Sequence, residues 1–295
     1  MNTMLNKVHN FLNSHTRQLS TQTISVYEHH LKYLADWLYE QGLRFENLTP
    51  DLFLENYLNT KNWSSNTVRL AITAVKVFSR HLLGPLHPMA QLKVRGWSSA
   101  PQPFLDQVQL NELLEIFDTS TVLGRRNLAI VALGVSSGLR SIEICRLQLK
   151  HVDVEARFGS VLGKGDVWRE FPFSTRTALF LDDWLSVRSY VANPDTPEFF
   201  VSIGGKKPGE ALTTGGLRAI FKTFAKRAGL ERLSPHDMRR TMARLRQEHH
   251  ALPADVQQIG GWKGQSGAQY VLHYSRRKFN QTEIDKTDPI ERAMD

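Results

Sequence analysis

Two arginines and a histidine in this sequence are residue types that can bind anions and transfer protons. Arg140 lies in the run GLRSIE, and His236 and Arg239 lie one helical turn apart in the run SPHDMRR. Arginine keeps its charge at any working pH and presents a planar fork of donors that matches phosphate oxygens. If the fold brings them together, the two arginines can bind phosphate and the histidine can titrate beside them. Taken singly, each also fits an ordinary role at a helix joint or a helix cap.

A lysine, a tryptophan and two tyrosines complete the set of side chains that could do chemistry. Lys164 lies between two glycines at a predicted hairpin tip, Trp262 follows two glycines, and Tyr270 and Tyr274 lie one turn apart in YVLHYSRR. A free tyrosine has a pKa of about 10, so a nucleophilic tyrosine needs a base or cationic neighbours. A solvated turn lysine and ordinary core tyrosines are the alternatives for these residues.

Hydrophobic periodicity predicts the elements that must position these side chains. Apolar residues at helical spacing indicate an amino-terminal group of helices over 21–40, over a short stretch after Pro50, and from the cap signal at 64–66 to Leu83. A second group contains helices over 107–117, 124–136, 141–149, 175–191, 214–228, 235–247 and 253–260. Between these helices the pattern predicts a hairpin over 160–173 and a possible strand over 199–202.

The predicted fold class is mainly α with a small β element, arranged in two domains. A length of 295 residues exceeds the usual size of a single domain. Glycine, serine and proline without an apolar period mark a linker over 93–103. We therefore expect a helical domain over 1–92 and a larger mixed α/β domain over 104–295 that includes a carboxy-terminal tail.

An excess of positive charge predicts a polyanionic partner. Lys and Arg number 37 against 29 Asp and Glu, which gives a net charge of +8. The predicted helix over 64–83 has a narrow basic stripe opposite its apolar face, formed by Arg69, Lys76 and Arg80. This stripe is either a DNA contact or an ordinary solvated surface. No apolar run approaches the roughly 20 residues that span a bilayer, so we expect a soluble, cytoplasmic protein without a membrane partner. A lone cysteine, Cys145, excludes an internal disulfide.

In chain order the candidate residues are Arg, Lys, His-x-x-Arg, an aromatic residue and Tyr. This order resembles the catalytic set of the tyrosine recombinase (phage integrase) family, with Cre-like and Xer-like members. Arg140 matches the first family arginine, Lys164 the β-hairpin lysine, and His236 and Arg239 the H-x-x-R box. Glu143 matches an acidic position that helps to hold the first arginine.

The aromatic position and the tyrosine depart from the usual family pattern. Trp262 stands where histidine is more common, although members such as Cre carry tryptophan there. The family tyrosine usually follows nine residues later, which is Val271 here, whereas Tyr270 and Tyr274 follow at eight and twelve. Aligning YVLHYSR with the corresponding run of Cre selects Tyr274 and implies a short insertion over 263–267. Tyr270 remains the alternative nucleophile.

The resemblance implies a site-specific recombinase whose core-binding domain spans residues 20–83 and whose catalytic domain spans 104–278. It implies a 3′-phosphotyrosine intermediate, formed without ATP, metal or any other cofactor. Lys164 would act as the general acid toward the leaving 5′ oxygen, and Trp262 would donate its indole N–H. The implied partners are a double-stranded DNA site, a tetramer on two such sites with the 289–294 tail docked on a neighbour, and accessory DNA-bending proteins.

Two other classes share this fold and remain as alternatives. A type IB topoisomerase uses the same chemistry to relax DNA, but the separate amino-terminal helical domain favours a recombinase. A DNA-binding protein without catalysis would be expected to have lost an active-site residue, whereas every catalytic position is filled here.

Overall fold

The computed structural model describes residues 3–93, 104–163, 167–262 and 280–293. The chain divides into two compact units, Met1–Ala100 and Pro101–Asp295. The linker predicted over 93–103 lies outside the described residues except for Lys93. In the described ranges, no helix combines the length and the apolar character that a membrane span requires.

The first unit is built on three helices that bury one apolar face each. They are α1 (Thr3–Ser14), α2 (Thr21–Glu40) and α3 (Ser65–Leu83). The predictions for α2 and α3 are confirmed, and the Ser20 and Ser64 hydroxyls cap them by accepting hydrogen bonds from backbone N–H groups. Helix α1 was not predicted, although its buried Val8 and Phe11 follow helical spacing. After Pro50 the chain forms a π-helical turn, Leu52–Tyr57, and a 3-10 turn, Leu58–Thr60.

The second unit is mainly helical, with one small sheet. Its helices in chain order are α4 (Gln107–Glu115), α5 (Val122–Ser137), α6 (Ser141–Arg146), α7 (Thr175–Arg188), α8 (Thr214–Arg227), α9 (Pro235–Glu248), α10 (Pro253–Gly260) and α11 (Gln281–Thr287). Helix α5 is the centre of the unit, because its whole middle section is buried and it packs against α7 and α9. The predicted fold class, mainly α with a small β element, is confirmed.

The sheet consists of three antiparallel strands in the order β1-β2-β3. They are β1 (Val152–Asp153), β2 (Phe158–Leu162) and β3 (Trp168–Pro172). The predicted hairpin is therefore confirmed, and its register pairs Val161 with Arg169 and Gly159 with Phe171. Because side chains alternate across a strand, Arg169 and Phe171 lie on the same face of β3.

Two sequence predictions in this unit are wrong at residues 147–149 and 199–202. Helix α6 ends at Arg146 because Leu147 is extended and its carbonyl accepts a hydrogen bond from Phe199 N at 2.6 Å. Residues 199–202 do not form a strand among the described residues and contribute only an isolated bridge from Val201. The Phe199 carbonyl instead accepts side-chain hydrogen bonds from Trp184 and Arg188, at 3.0 and 3.2 Å.

The carboxy-terminal segment packs on its own unit in this single chain. Ile290 and Ala293 are fully buried, and the fully buried Arg246 donates to Asp288 at 2.6 Å. The same carboxylate also accepts a hydrogen bond from Ser136 on α5. The docking of residues 289–294 on a neighbouring protomer stays a prediction, and within its own chain a buried ion pair fixes Asp288 next to α5.

Removing the Asp288 carboxylate is expected to destabilise the second unit strongly. In Asp288→Ala the charge of Arg246 stays buried without its partner, which costs about 3–5 kcal/mol, whereas an exposed ion pair contributes about 0.3–0.5 kcal/mol. The exposed pair Arg244–Glu248 on α9 supplies the control, Arg244→Ala. Urea unfolding of the full chain, followed by circular dichroism, measures both changes. Equal losses in the free energy of unfolding of the two variants would contradict a stabilising role of the buried Asp288 carboxylate.

Candidate active site

The joint between α5 and α6 places the first arginine. Gly138 ends α5 in the left-handed conformation, with φ of +61°, and its N–H donates to Gly134 O at 3.1 Å. The positive φ favours glycine at this position, and a Cβ added there would also displace the terminal methyl group of Met242, which would lie 2.3 Å away. The sharp reversal that follows puts Arg140 directly before the first turn of α6.

A buried carboxylate fixes Arg140 at this joint. Glu143 Oε1 accepts from Arg140 Nη1 at 2.7 Å, and Oε2 accepts from the Arg140 backbone N–H at 2.8 Å. The Glu143 side chain is only 2% exposed, whereas that of Arg140 is 34% exposed. The carboxylate thus holds both ends of Arg140 and leaves part of its guanidinium at the surface.

Helix α9 supplies the histidine and the second arginine. Its first turn is set by Pro235 and by Asp237, which accepts hydrogen bonds from the Ser234 N–H and hydroxyl at 2.8 and 2.6 Å. One turn apart on this helix, His236 is exposed and Arg239 is buried. The exposed His236 is therefore suited to accept a proton at the surface, and the buried Arg239 to act as a fixed, desolvated cation.

Arg239 is only partly satisfied by the described residues. Its Nη1 donates to the Gly138 carbonyl, which ties α9 to the α5–α6 joint. Its Nη2 is buried without a hydrogen-bond partner in the described part of the chain. An uncompensated buried donor is costly, so a guanidinium nitrogen in this state is suited to an anionic ligand.

Trp262 covers the guanidinium of Arg239. The Arg239 Cζ lies 4.1 Å from the indole ring centroid, a cation–π contact. Helix α10 ends in a left-handed Gly261, with φ of +61°, and this reversal directs the next residue toward α9. The tryptophan therefore adds an aromatic face to the same cluster.

The cluster contains more positive than negative charge, and the pKa values respond to it. Burial, reinforced by the charges of Arg140 and Arg169, lowers the pKa of Arg239 to about 10, which still leaves it protonated near neutral pH. Partial desolvation and the charges of Arg240 and Arg239 lower the pKa of His236. Burial opposes ionisation of Glu143, but Arg169 and Arg140 outweigh it and lower the pKa of this carboxyl. Such a site attracts an anion and keeps a neutral histidine beside it.

A family model decides the identity of this arrangement. The phage integrase family model matches residues 103–278, which is more than half of the chain. The chain belongs to the phage integrase family. Its described cluster thus occurs within the matched region of a tyrosine recombinase.

Relatives of known sequence agree with this membership, and solved structures share the fold. The chain is 27% identical to tyrosine recombinase XerD of Listeria monocytogenes serotype 4b (strain F2365), over 89% of this chain and 91% of the relative. It is 28% identical to tyrosine recombinase XerC of Oceanobacillus iheyensis, over 88% of each. The fold is similar to that of the Tn1549 transposon integrase in complex with transposon right end DNA, with a TM-score of 0.71 and 17% identity, covering 95% of this chain and 97% of that one. It is also similar to XerH site-specific recombinase bound to difH substrate, with a TM-score of 0.66 and 20% identity, covering 92% and 81%.

Within this recombinase fold, the predicted site residues fall into three groups. The structure brings together Arg140, Glu143, His236, Arg239 and Trp262. The predicted lysine and both tyrosines, at positions 164, 270 and 274, lie outside the described residues. The basic stripe of Arg69, Lys76 and Arg80 lies on α3 in the first unit.

Sequence reasoning missed one member of the cluster, Arg169. Its Nη2 donates to Glu143 Oε2 at 2.9 Å, so a single carboxylate holds Arg140 and Arg169 together. The available signal was its position on β3, in phase with the buried Phe171 and therefore facing inward. An arginine at an inward strand position needs a buried acceptor, and that requirement points to a buried carboxylate rather than to solvent.

Proposed function

We propose that this tyrosine recombinase cleaves and rejoins DNA with Arg140 and Arg239 as its phosphate clamp and Tyr274 as its nucleophile. The chain is a site-specific DNA recombinase that uses the tyrosine mechanism, as its family membership and its Xer-like relatives support. The observation that carries the residue assignment is the convergence of two arginines at one joint, with a buried, unpartnered Nη2 on Arg239 among the described residues.

The clamp acts on charge that develops during phosphodiester displacement. Negative charge grows on the equatorial oxygens and on the attacking and leaving oxygens, and fixed donors stabilise it without reorganisation. Arg239 is held by the Gly138 carbonyl and by the Trp262 ring, and Arg140 is held by Glu143. Preorganised guanidinium groups of this kind lower the barrier more than they strengthen DNA binding.

The remaining roles complete the balance of atoms. The Tyr274 oxygen attacks phosphorus, the bond from phosphorus to the 5′ oxygen breaks, and a 3′-phosphotyrosine forms. His236 assists removal of the tyrosine proton, and Lys164 donates a proton to the departing 5′ oxygen. A 5′ hydroxyl of a second strand then reverses these steps and restores the tyrosine. Because the phosphate ester link is kept throughout, no ATP is consumed.

The protein partner and the DNA partner follow from the same proposal. We propose a double-stranded DNA site as the substrate, because the XerH and Tn1549 structures were solved with DNA and this chain has a net charge of +8. Exchange between two sites needs four active centres, so we propose a tetramer on two sites, in a nucleoid-bound state in the cytoplasm. Accessory DNA-bending proteins would set which sites meet.

A two-site plasmid assay separates this function from its alternatives. The DNA site is first selected from a random duplex pool by binding to the full chain, and two copies are cloned into a supercoiled plasmid. A recombinase yields deletion or inversion products that require both copies. Relaxation of plasmids without exchange would instead identify a topoisomerase, and binding without any cleavage would identify an inactive DNA-binding protein.

The His236 assignment predicts an acid limb in the pH profile of cleavage. Since the pKa of His236 is lowered, the ring is neutral near pH 7 and accepts a proton there. As pH falls through that pKa the ring becomes charged, and the single-turnover cleavage rate is expected to fall with it. His236→Gln should cleave more slowly and lose this limb. An unchanged limb in His236→Gln would assign the titration to another group.

The stripe on α3 predicts a salt-dependent contribution to DNA affinity. Arg69 and Arg80 are exposed, Lys76 is half-buried, and all three lie on one side of the helix. Replacing the three with alanine is expected to weaken binding and to reduce the slope of log affinity against log salt by about 0.9 for each phosphate that the variant no longer neutralises. Lys32→Ala on α2, an exposed lysine paired with Glu28, is the matched control. Equal slopes for the triple variant and the wild type would contradict a role of the stripe in DNA binding.

A further inference from the structure

Arg169 connects three segments of the candidate active site. It lies on β3, the strand Trp168–Pro172, and its side chain is 15% exposed. Two residues before it, the Val167 carbonyl accepts a hydrogen bond from Gly163 N at 2.9 Å. In the sequence, Arg169 follows the predicted general acid, Lys164, within the same predicted hairpin.

One end of the Arg169 guanidinium contacts the carboxylate that holds Arg140. Nη2 donates to Glu143 Oε2 at 2.9 Å, the same oxygen that accepts from the Arg140 backbone N–H at 2.8 Å. Glu143 is 2% exposed and has to remain ionised to serve both arginines. The charge of Arg169 offsets the cost of burying that carboxylate.

The other end of the guanidinium contacts the end of α10. Nη1 donates to Ile259 O at 2.8 Å, one of the helix-end carbonyls that have no partner within the helix. A Cβ added at Gly261 would lie 2.6 Å from Arg169 Cδ and Nε, so the reversal after α10 is packed directly on this side chain. Trp262, which covers Arg239, is the next residue.

We infer that Arg169 is a positioning residue for DNA cleavage, which fixes Glu143, and through it Arg140, relative to the end of α10. This inference rests on the proposed recombinase function. It assigns to one side chain the coupling between the hairpin, the first arginine of the clamp and the segment that leads to Trp262. The two contacts need a planar fork with donors on both sides, which a lysine ammonium cannot reproduce.

The inference predicts a loss of rate without a loss of binding. In Arg169→Met the apolar stem remains but both hydrogen bonds are removed, and misplacement of a reacting group by about 1 Å can cost about 10²-fold in rate. We expect single-turnover cleavage of saturating DNA to slow by about 10²-fold, with DNA affinity unchanged. Arg169→Lys keeps the charge and should recover part of the rate, because it can satisfy Glu143 or Ile259 O but not both.

A double-mutant cycle tests the path of the effect. If Arg169 acts through Glu143, the double variant Arg169→Met/Glu143→Gln should be about as slow as the slower single variant. Independent roles would instead multiply the two losses. Multiplicative losses would overturn the inference that Arg169 acts by fixing Glu143.

Arg188→Met is the matched control for general loosening of the unit. Arg188 is also buried, and it donates to the backbone carbonyls of Thr196, Glu198 and Phe199 without touching the described clamp. Slowing of cleavage in Arg188→Met equal to that in Arg169→Met would overturn the inference. If the wild type cleaves DNA and Arg169→Met cleaves it equally fast, the inference about Arg169 is overturned and the recombinase proposal stands. Absence of cleavage by the wild type on its selected site would refute both.

Discussion

Arg239→Ala is expected to slow cleavage of bound DNA by about 10³–10⁵-fold, the range in which arginines act on transferring phosphoryl groups. Arg239 is 2% exposed, donates to Gly138 O and keeps a buried Nη2 without a partner among the described residues. Its contribution is made chiefly in the transition state, where the phosphate oxygens carry more charge. We therefore expect most of the DNA affinity to survive, and the same result for Arg140→Ala.

Two control variants distinguish the loss of the Arg239 phosphate contact from a general loss of positive charge or of folding. Arg244→Ala removes a positive charge from the same helix, at an exposed position paired with Glu248, and should cleave at the wild-type rate. Arg239→Lys keeps the charge but not the fork, so its rate should fall between those of wild type and Arg239→Ala. Cleavage rates on a nicked duplex and binding by fluorescence anisotropy are measured together. Parallel losses of binding and cleavage in Arg239→Ala would contradict the clamp.

Tyr274→Phe is expected to remove strand cleavage completely. Loss of the phenolic oxygen leaves no group to form the covalent link, and a phenylalanine keeps the size and the apolar character of the ring. Tyr270→Phe is the matched control, since it makes the same change four residues away in the sequence and should leave cleavage near the wild-type rate. Both variants should bind DNA as the wild type does.

The choice between the two tyrosines depends on a single insertion. Tyr274 stands twelve residues after Trp262, and Tyr270 stands eight after it, so neither has the usual family spacing of nine. Loss of cleavage in Tyr270→Phe with a normal rate in Tyr274→Phe would move the nucleophile and would replace the insertion with a deletion of one residue. Cleavage by both single variants would contradict the tyrosine mechanism as assigned.

Much of the fold could be predicted because its signals are local. Helices α2 and α3 begin directly after serine caps and show one apolar face, and the hairpin is marked by glycines between two short β segments. The joint at Gly138 follows from one glycine that must adopt a positive φ. These features depend on residues a few positions apart, so the sequence pattern contains them.

The features that were missed depend on contacts between distant residues. Arg169 meets Glu143 from 26 residues away, and the Asp288 carboxylate meets Arg246 from 42 residues away. Residues 199–202 resemble a strand by composition, but the Phe199 carbonyl accepts hydrogen bonds from the buried side chains of Trp184 and Arg188 on α7. No periodicity encodes such long-range pairings, which is why neither the packing of the tail nor the place of Arg169 in the cluster could be predicted.

The proposed mechanism requires a covalent link between DNA and one tyrosine of this chain. The full chain is trapped on a nicked duplex that carries its selected site, and the DNA-linked peptide is mapped by mass spectrometry in wild type, Tyr274→Phe and Tyr270→Phe. We expect a 3′-phosphate adduct on Tyr274 that is absent only from Tyr274→Phe. A verified binding site with no adduct on any tyrosine, or an adduct that survives in both variants, would contradict it.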